Sequence, residues 1–395
     1  MAIKYLTQEH LKGFDKYKYS SKDTSPLAIY LMHPFWNAVV KLYPMWIAPN
    51  LLTLLGFLFQ LALFLLLAFY DWDYFSNNRA LTDYPPVPNW VWFVASACQL
   101  LGHTLDGTDG KQARRTGSST PLGELFDHGS DSILATLLPI GLFSIFGKGL
   151  EDYGGTSWIF YGVQWHIITA FFMSHWEKYL TGVLFLPWSY DFSQLAIAVV
   201  YFLTGLYGYE IWKITLPYGF QFNYFFLSLV CIGAVFTSIP QSIYNIYRAY
   251  ATGTGKQRSL REALDPAFPL MVLFVTCTLW AYFSPANILE YHTRSFLLML
   301  SVIFSNITVR LIISQMSDTL ASAHNFLNIL LVAAAFVSCV VGVGEYEVHI
   351  LYALFGFSTV AHLHYAVTVV SQLCDHFNIY AFSITSRPRQ KNHVK

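Results

Sequence analysis

An all-α polytopic membrane protein is what this chain predicts, with about ten transmembrane helices and an N-terminal interfacial helix. Three observations carry that prediction. The 395 residues are 55% hydrophobic and 18% aromatic. Only 12% are charged, about half the share of a soluble domain. Apolar windows long enough to cross a bilayer recur along almost the whole length. These windows lie near residues 46–70, 90–110, 122–147, 157–177, 190–209, 223–247, 267–284, 293–315, 326–343 and 347–373.

Residues 1–45 are polar and aromatic and contain no apolar run of signal-peptide type. No cleaved leader is expected, and the first span is expected to direct insertion. From His33 to Pro44 the segment mixes aromatic and apolar residues with Lys41, which predicts a helix lying on the membrane surface. The expected organisation is a cytosolic segment over 1–45, one transmembrane domain over 46–373 and a cytosolic tail over 374–395.

Loop charge tests the count of spans. With the N-terminus in the cytosol, 18 of the 23 lysines and arginines fall in cytosolic segments, the tail residues Arg387, Arg389, Lys391 and Lys395 among them. The opposite side holds Arg79, Lys148, Lys213 and Arg294, and Arg310 stays within a span. This asymmetry follows the positive-inside rule and places both termini in the cytosol. The formal net charge is zero and no nucleic-acid partner is expected. The five cysteines are scattered in or beside apolar segments without a pairing pattern, and buried thiols are expected. The basic loop Gly253–Arg261 lacks the spacing of a phosphate-binding loop and reads as a solvated connection.

The charges that need explaining stand between the second and third windows. Asp106, Asp109, Asp127 and Asp131 flank one helix-to-helix break. A carboxylate at mid-membrane depth costs about 2.5–3.5 kcal/mol, so four would cost on the order of 10–14 kcal/mol unless they meet water or cations. Asp106 and Asp109 are spaced i, i+3, and Asp127 and Asp131 i, i+4, so each pair shares one helix face. A tight connection at 111–121 makes the helices antiparallel neighbours. The four carboxylates can then hold two divalent cations about 3.5–4 Å apart, the arrangement of two-metal phosphoryl chemistry. Hard oxygen donors of this kind suit Mg²⁺ or Mn²⁺.

Other residues fit around that centre. Gly110 and Gly123, each one turn from an aspartate, allow close approach of ligand and backbone. Lys111, Arg114 and Arg115 offer cations for phosphate oxygens; Gln112 lies in the same stretch and is expected beside the substrate. Glu124 and His128 are i, i+4 on the face that carries Asp127 and Asp131. His128 is the expected general base with Glu124 orienting it; Asp131 and Glu124 remain alternatives. His103, one turn before Asp106, either supports the site or packs in the core. His175, Glu177 and Lys178 read as interfacial, and His362, His364 and Arg310 as packing or snorkelling residues.

The set Asp106-x-x-Asp109-Gly110-x-x-Ala113-Arg114, eight residues, Gly123-x-x-x-Asp127-x-x-x-Asp131 resembles the signature of the CDP-alcohol phosphotransferase family at every position. Within it the chain is similar to the eukaryotic ethanolamine- and cholinephosphotransferase group in FDKYKYS (14–20), HPFWN (33–37), APNLLT (48–53) and residues 109–132. Residues 174–194 resemble the ethanolamine branch more than the choline branch. The resemblance implies transfer of phosphoethanolamine from CDP-ethanolamine to diacylglycerol, giving phosphatidylethanolamine and CMP. It also implies a divalent metal requirement, a homodimer in the endoplasmic reticulum or Golgi, contact of Asn50 with the cytidine or phosphates, and His128 as base. Two rivals remain: choline or dual head-group specificity, and a cation-coupled transporter. Against the transporter, all four aspartates come from one hairpin and no internal repeat is visible.

Overall fold

The computed structural model describes residues 3–233 and 238–385. The tail cations Arg387, Arg389, Lys391 and Lys395 lie outside the described residues. Among these residues the chain forms fifteen α-helices: α1 Gln8–Lys16, α2 His33–Val39, α3 Pro49–Tyr70, α4 Asn89–Thr116, α5 Pro121–Phe146, α6 Ser157–Thr181, α7 Ser189–Tyr207, α8 Phe222–Gly233, α9 Ile239–Ala251, α10 Leu260–Leu264, α11 Ala267–Phe283, α12 Ile288–Tyr291, α13 Thr293–Ser317, α14 Phe326–Phe336 and α15 Tyr346–Phe377. Every apolar window of the sequence holds a helix. The protein is an all-α polytopic membrane protein. By length and apolarity alone, α3, α5, α13 and α15 suffice to cross a bilayer.

The centre of the molecule is α13, buried along nearly all its length. It packs against α5, α6, α11 and α15. Some of its polar residues bond across that interior: Ser305 bonds Ser132 of α5, and Gln164 of α6 donates to Ser301 at 3.1 Å. Helices α3 and α7 both pack on α4 beside this core. Close approach of α3 to α4 needs Gly56, where an added Cβ would lie 3.1 Å from the Gly102 carbonyl oxygen.

Helix α4 runs further than its apolar window, through Lys111–Arg115 to Thr116, because these residues are good helix formers. It stops at Gly117, which takes a left-handed conformation (φ 65°). The connection to α5 is therefore only residues 117–120. Thr120 caps α5 by accepting from the Gly123 amide at 3.3 Å.

The segment expected to be helical before the first span is so. Residues 28–42 are helical throughout, as a π turn, α2 and a 3₁₀ turn. Tyr30, Leu31, Phe35 and Leu42 point outward while Trp36 is buried. Trp36 packs where Gly107 of α4 leaves room; a Cβ there would sit 2.2 Å from the indole. Two short strands, β1 Ser21–Asp23 and β2 Leu184–Leu186, pair in parallel and tie the N-terminal segment to the α6–α7 connection. Of the cysteines, Cys98 and Cys277 are buried free thiols and Cys339 a half-buried one.

Candidate active site

Helices α3, α4, α5, α6 and α7 enclose a cavity of about 1000 Å³. One end is polar and holds the aspartates; the other is walled by Leu134, Leu138, Leu142, Phe143, Ile167 and Phe171. Asp106 and Asp109 come from the last third of α4, and Asp127 and Asp131 from the start of α5. One carboxylate oxygen from each of Asp106, Asp109 and Asp127 lies within 4.8 Å of the others. Asp131, one turn on, lines the same cavity beside that tight group.

The donor set fits a hard divalent cation. Two oxygens bound at about 2.1 Å can stand up to about 4.2 Å apart on one ion, so small side-chain movements close the group. Among the described residues no lysine or arginine forms an ion pair with any of the four aspartates. Clustered carboxylates in a largely apolar cavity otherwise lack counter-charge.

Neighbouring helices hold the carboxylates in place. Thr53 of α3 donates to Asp109 at 2.5 Å, and the Gly110 amide bonds the other oxygen. Tyr190 of α7 donates to Asp106 at 3.0 Å. His103 is buried, 3.3 Å from Asp191 of α7, with its ring edge-on to both Trp36 and Tyr190. It supports the α4–α7 contact behind Asp106.

The expected His128–Glu124 pair is looser than the spacing implies. His128 Nδ1 lies 3.7 Å from Glu124 and has no hydrogen-bond partner; Nε2 lies 3.8 Å from Asp127. Glu124 is engaged elsewhere. It pairs with Lys178 of α6 and accepts from Tyr17 at 2.6 Å. Burial and the Glu124 carboxylate push the Tyr17 phenol up, and burial pushes Tyr19 up to about 12. Both stay protonated, so Tyr17 is the donor. Lys178 sits over both rings, 5.6 Å from Tyr17 and 5.2 Å from Tyr19.

His175, Glu177 and Lys178 are therefore not interfacial. All three are buried, because the N-terminal segment and α9 cover that end of α6. His175 lines the cavity with its ring 5.3 Å from that of His128. Glu177 accepts from Asn245 of α9 at 2.7 Å.

Of the residues expected at the substrate, Asn50, Gly110, Lys111, Arg114 and Gly123 line the cavity. Asn50 donates to the Ala381 carbonyl at 2.8 Å, while Phe382 packs on Phe126, so the start of the tail folds back against the site. Lys111 reaches Asn37 at 2.9 Å. Gln112 and Arg115 turn away from the cavity. Gln112 donates to the Pro44 and Ile47 carbonyls at 3.0 and 3.2 Å, and Arg115 to Val40 and Tyr43 at 2.8 and 2.6 Å. The reason is helical phase: α4 continues unbroken, so these two positions face the 40–47 segment.

The comparisons agree with this geometry. Residues 46–235, which contain all four aspartates, match the CDP-alcohol phosphatidyltransferase family. Ethanolaminephosphotransferase 1 of Mus musculus is 45% identical over 381 residues, 96% of this chain and 94% of the relative. The chain belongs to the CDP-alcohol phosphatidyltransferase family. The Homo sapiens ethanolaminephosphotransferase 1 is likewise 45% identical over 96% of this chain and 94% of its own length. Choline/ethanolaminephosphotransferase 2 of Arabidopsis thaliana is 31% identical over 97% of this chain and 99% of the relative. Like these family members, the chain is a transferase of membrane phospholipid synthesis.

Thr53, Tyr190, Tyr17, Tyr19 and Lys178 are the site residues that motif reasoning missed. Each comes from an element distant in sequence; all lie in segments that carry the family resemblance, but only Lys178 is singled out there, and it reads as interfacial.

Proposed function

We propose that this protein transfers phosphoethanolamine from CDP-ethanolamine to diacylglycerol, giving phosphatidylethanolamine and CMP. The observation that carries the reading is the convergence of Asp106, Asp109 and Asp127 at the polar end of a cavity whose other end is apolar. The aspartates would hold cations for a diphosphate at one end, and the apolar wall would suit acyl chains at the other.

Asp106, Asp109, Asp127 and Asp131 would hold two Mg²⁺ or Mn²⁺ ions. Bound there, the metals supply Lewis-acid stabilisation of the diphosphate and of the leaving CMP. The chain does the rest. Lys111 and Arg114 stand at the mouth as partners for phosphate oxygens. The α5 N-terminus turns the positive end of its dipole toward the same region. Asn50 borders the nucleotide. The diacylglycerol hydroxyl attacks the phosphorus that bears ethanolamine, and His128 takes its proton at a ring nitrogen. The unpartnered Nδ1 supports that role. Glu124 keeps the site in shape through Lys178 and Tyr17. Gln112 and Arg115 position the 40–47 segment.

Ethanolamine is favoured over choline by the identity to ethanolaminephosphotransferase 1. A trimethylammonium head group would want an aromatic cage. The Tyr17–Tyr19 pair beside the cluster is already occupied by the Lys178 ammonium. Residues 46–373 form the membrane domain, with 1–45, the tail 374–395 and the site on the cytosolic side of endoplasmic reticulum or Golgi membranes, in a homodimer. Purified protein given CDP-ethanolamine and diacylglycerol should release CMP and phosphatidylethanolamine in equal amounts. CMP release without phospholipid would refute the transfer.

A further inference from the structure

A second, smaller cavity of about 160 Å³ lies away from the aspartates. It is bounded by Tyr5 and His10 of the N-terminal segment, Arg310 and Ser314 of α13, Asn325 at the α14 cap, and Tyr365 of α15, with prolines and aliphatic residues between them. Among the described residues no carboxylate lines it.

Arg310 makes this cavity unusual. It sits seven residues before the end of α13 at Ser317, about 10 Å along the helix, inside a membrane span. It does not reach outward toward that end. Its Nε donates to Asn306, one turn deeper, at 3.1 Å, and its guanidinium lies 4.5 Å from the Tyr365 ring centroid. Asn306 also accepts from Asn325 at 2.9 Å, which fixes the acceptor. Among the described residues Arg310 has no ion-pair partner, and both terminal nitrogens are without a protein acceptor. A guanidinium held this way inside a span lacks a counter-ion, although the cavity has room for one. Its planar fork matches an oxyanion with adjacent oxygens better than a spherical ion.

We propose that the Arg310 cavity is a binding site for a phosphate-type oxyanion, either a free phosphate group or the phosphomonoester of an anionic lipid head group. It is separate from the transfer site. The N-terminal segment borders both cavities, the larger through Tyr19 and this one through Tyr5 and His10.

The test measures apparent melting temperature of the full-length protein in two arms. One titrates inorganic phosphate into detergent-purified protein. The other compares nanodiscs of phosphatidylcholine alone with nanodiscs containing phosphatidic acid. In at least one arm the wild type should gain about 3 °C at saturation. Asp106→Asn should keep that gain, which separates the site from the aspartate cluster. Arg310→Gln should lose it. If Arg310→Gln does not fold, Arg310→Lys should keep the gain but need about tenfold more ligand, since a point charge replaces the fork. A gain in the phosphate arm identifies a free anion, and a gain in the nanodisc arm alone a lipid phosphate. No gain in either arm, or undiminished response in both Arg310 variants, overturns the proposal.

Discussion

Glu124 of α5 is paired with Lys178 of α6 rather than with His128, although His128 lies one turn away on its own helix. Lys178 is buried and Glu124 half-buried, and Tyr17 completes the group from the N-terminal segment. Removing one member of a buried pair leaves the other charge uncompensated, at about 3–5 kcal/mol. Glu124→Gln and Lys178→Met should therefore each lower the melting temperature and the rate. The double variant should lose less stability than the two single losses added. Additive losses in a thermal melt series would show that the pair does not couple.

His128→Ala should abolish turnover while CDP-ethanolamine still binds, because the nucleotide is held by other residues. Binding by titration calorimetry, beside a turnover assay, checks this. General-base catalysis typically supplies about 10²–10⁴-fold, so retention of more than about a tenth of the rate would move the role to Asp131 or Glu124.

Activity should vanish on chelation with EDTA and return with Mg²⁺ or Mn²⁺. Asp106→Asn and Asp127→Asn should each reduce the rate by several orders of magnitude with the elution profile of the folded protein unchanged. Full activity after metal stripping would contradict the role given to the aspartates.

Tyr190→Phe removes only the hydrogen bond to Asp106. Groups that orient metal ligands typically matter by about 10–100-fold in affinity or activity. The metal concentration for half-maximal rate should rise by that order, with little change in the KM for diacylglycerol. An unchanged metal requirement would free Asp106 from dependence on Tyr190.

Why Tyr190 and Thr53 were invisible beforehand is a matter of range. The spacing of Asp106, Asp109, Asp127 and Asp131 is local, set by helical periodicity within one hairpin, so their shared face could be read directly. Tyr190 reaches Asp106 across 84 residues and Thr53 reaches Asp109 across 56, and no short-range pattern marks either contact. Each apolar window holds a helix for the same local reason. Gln112 and Arg115 misled because α4 runs past the apolar window. Charge pointed Arg115, and its place in the same stretch Gln112, at the substrate, whereas the helical phase of the completed helix turns both to the 40–47 carbonyls. Arg114→Ala should accordingly raise the KM for CDP-ethanolamine, and Gln112→Ala should chiefly lower thermal stability.

The central claim is the transfer of phosphoethanolamine, and one side-by-side assay tests it most directly. Purified protein with diacylglycerol and Mg²⁺ or Mn²⁺ is given CDP-ethanolamine or CDP-choline, and kcat/KM is measured for each by phospholipid formed. The account predicts a higher kcat/KM for CDP-ethanolamine, with one CMP per phosphatidylethanolamine. Equal or reversed preference would contradict the head-group assignment, and no phospholipid from either donor would contradict the transfer itself.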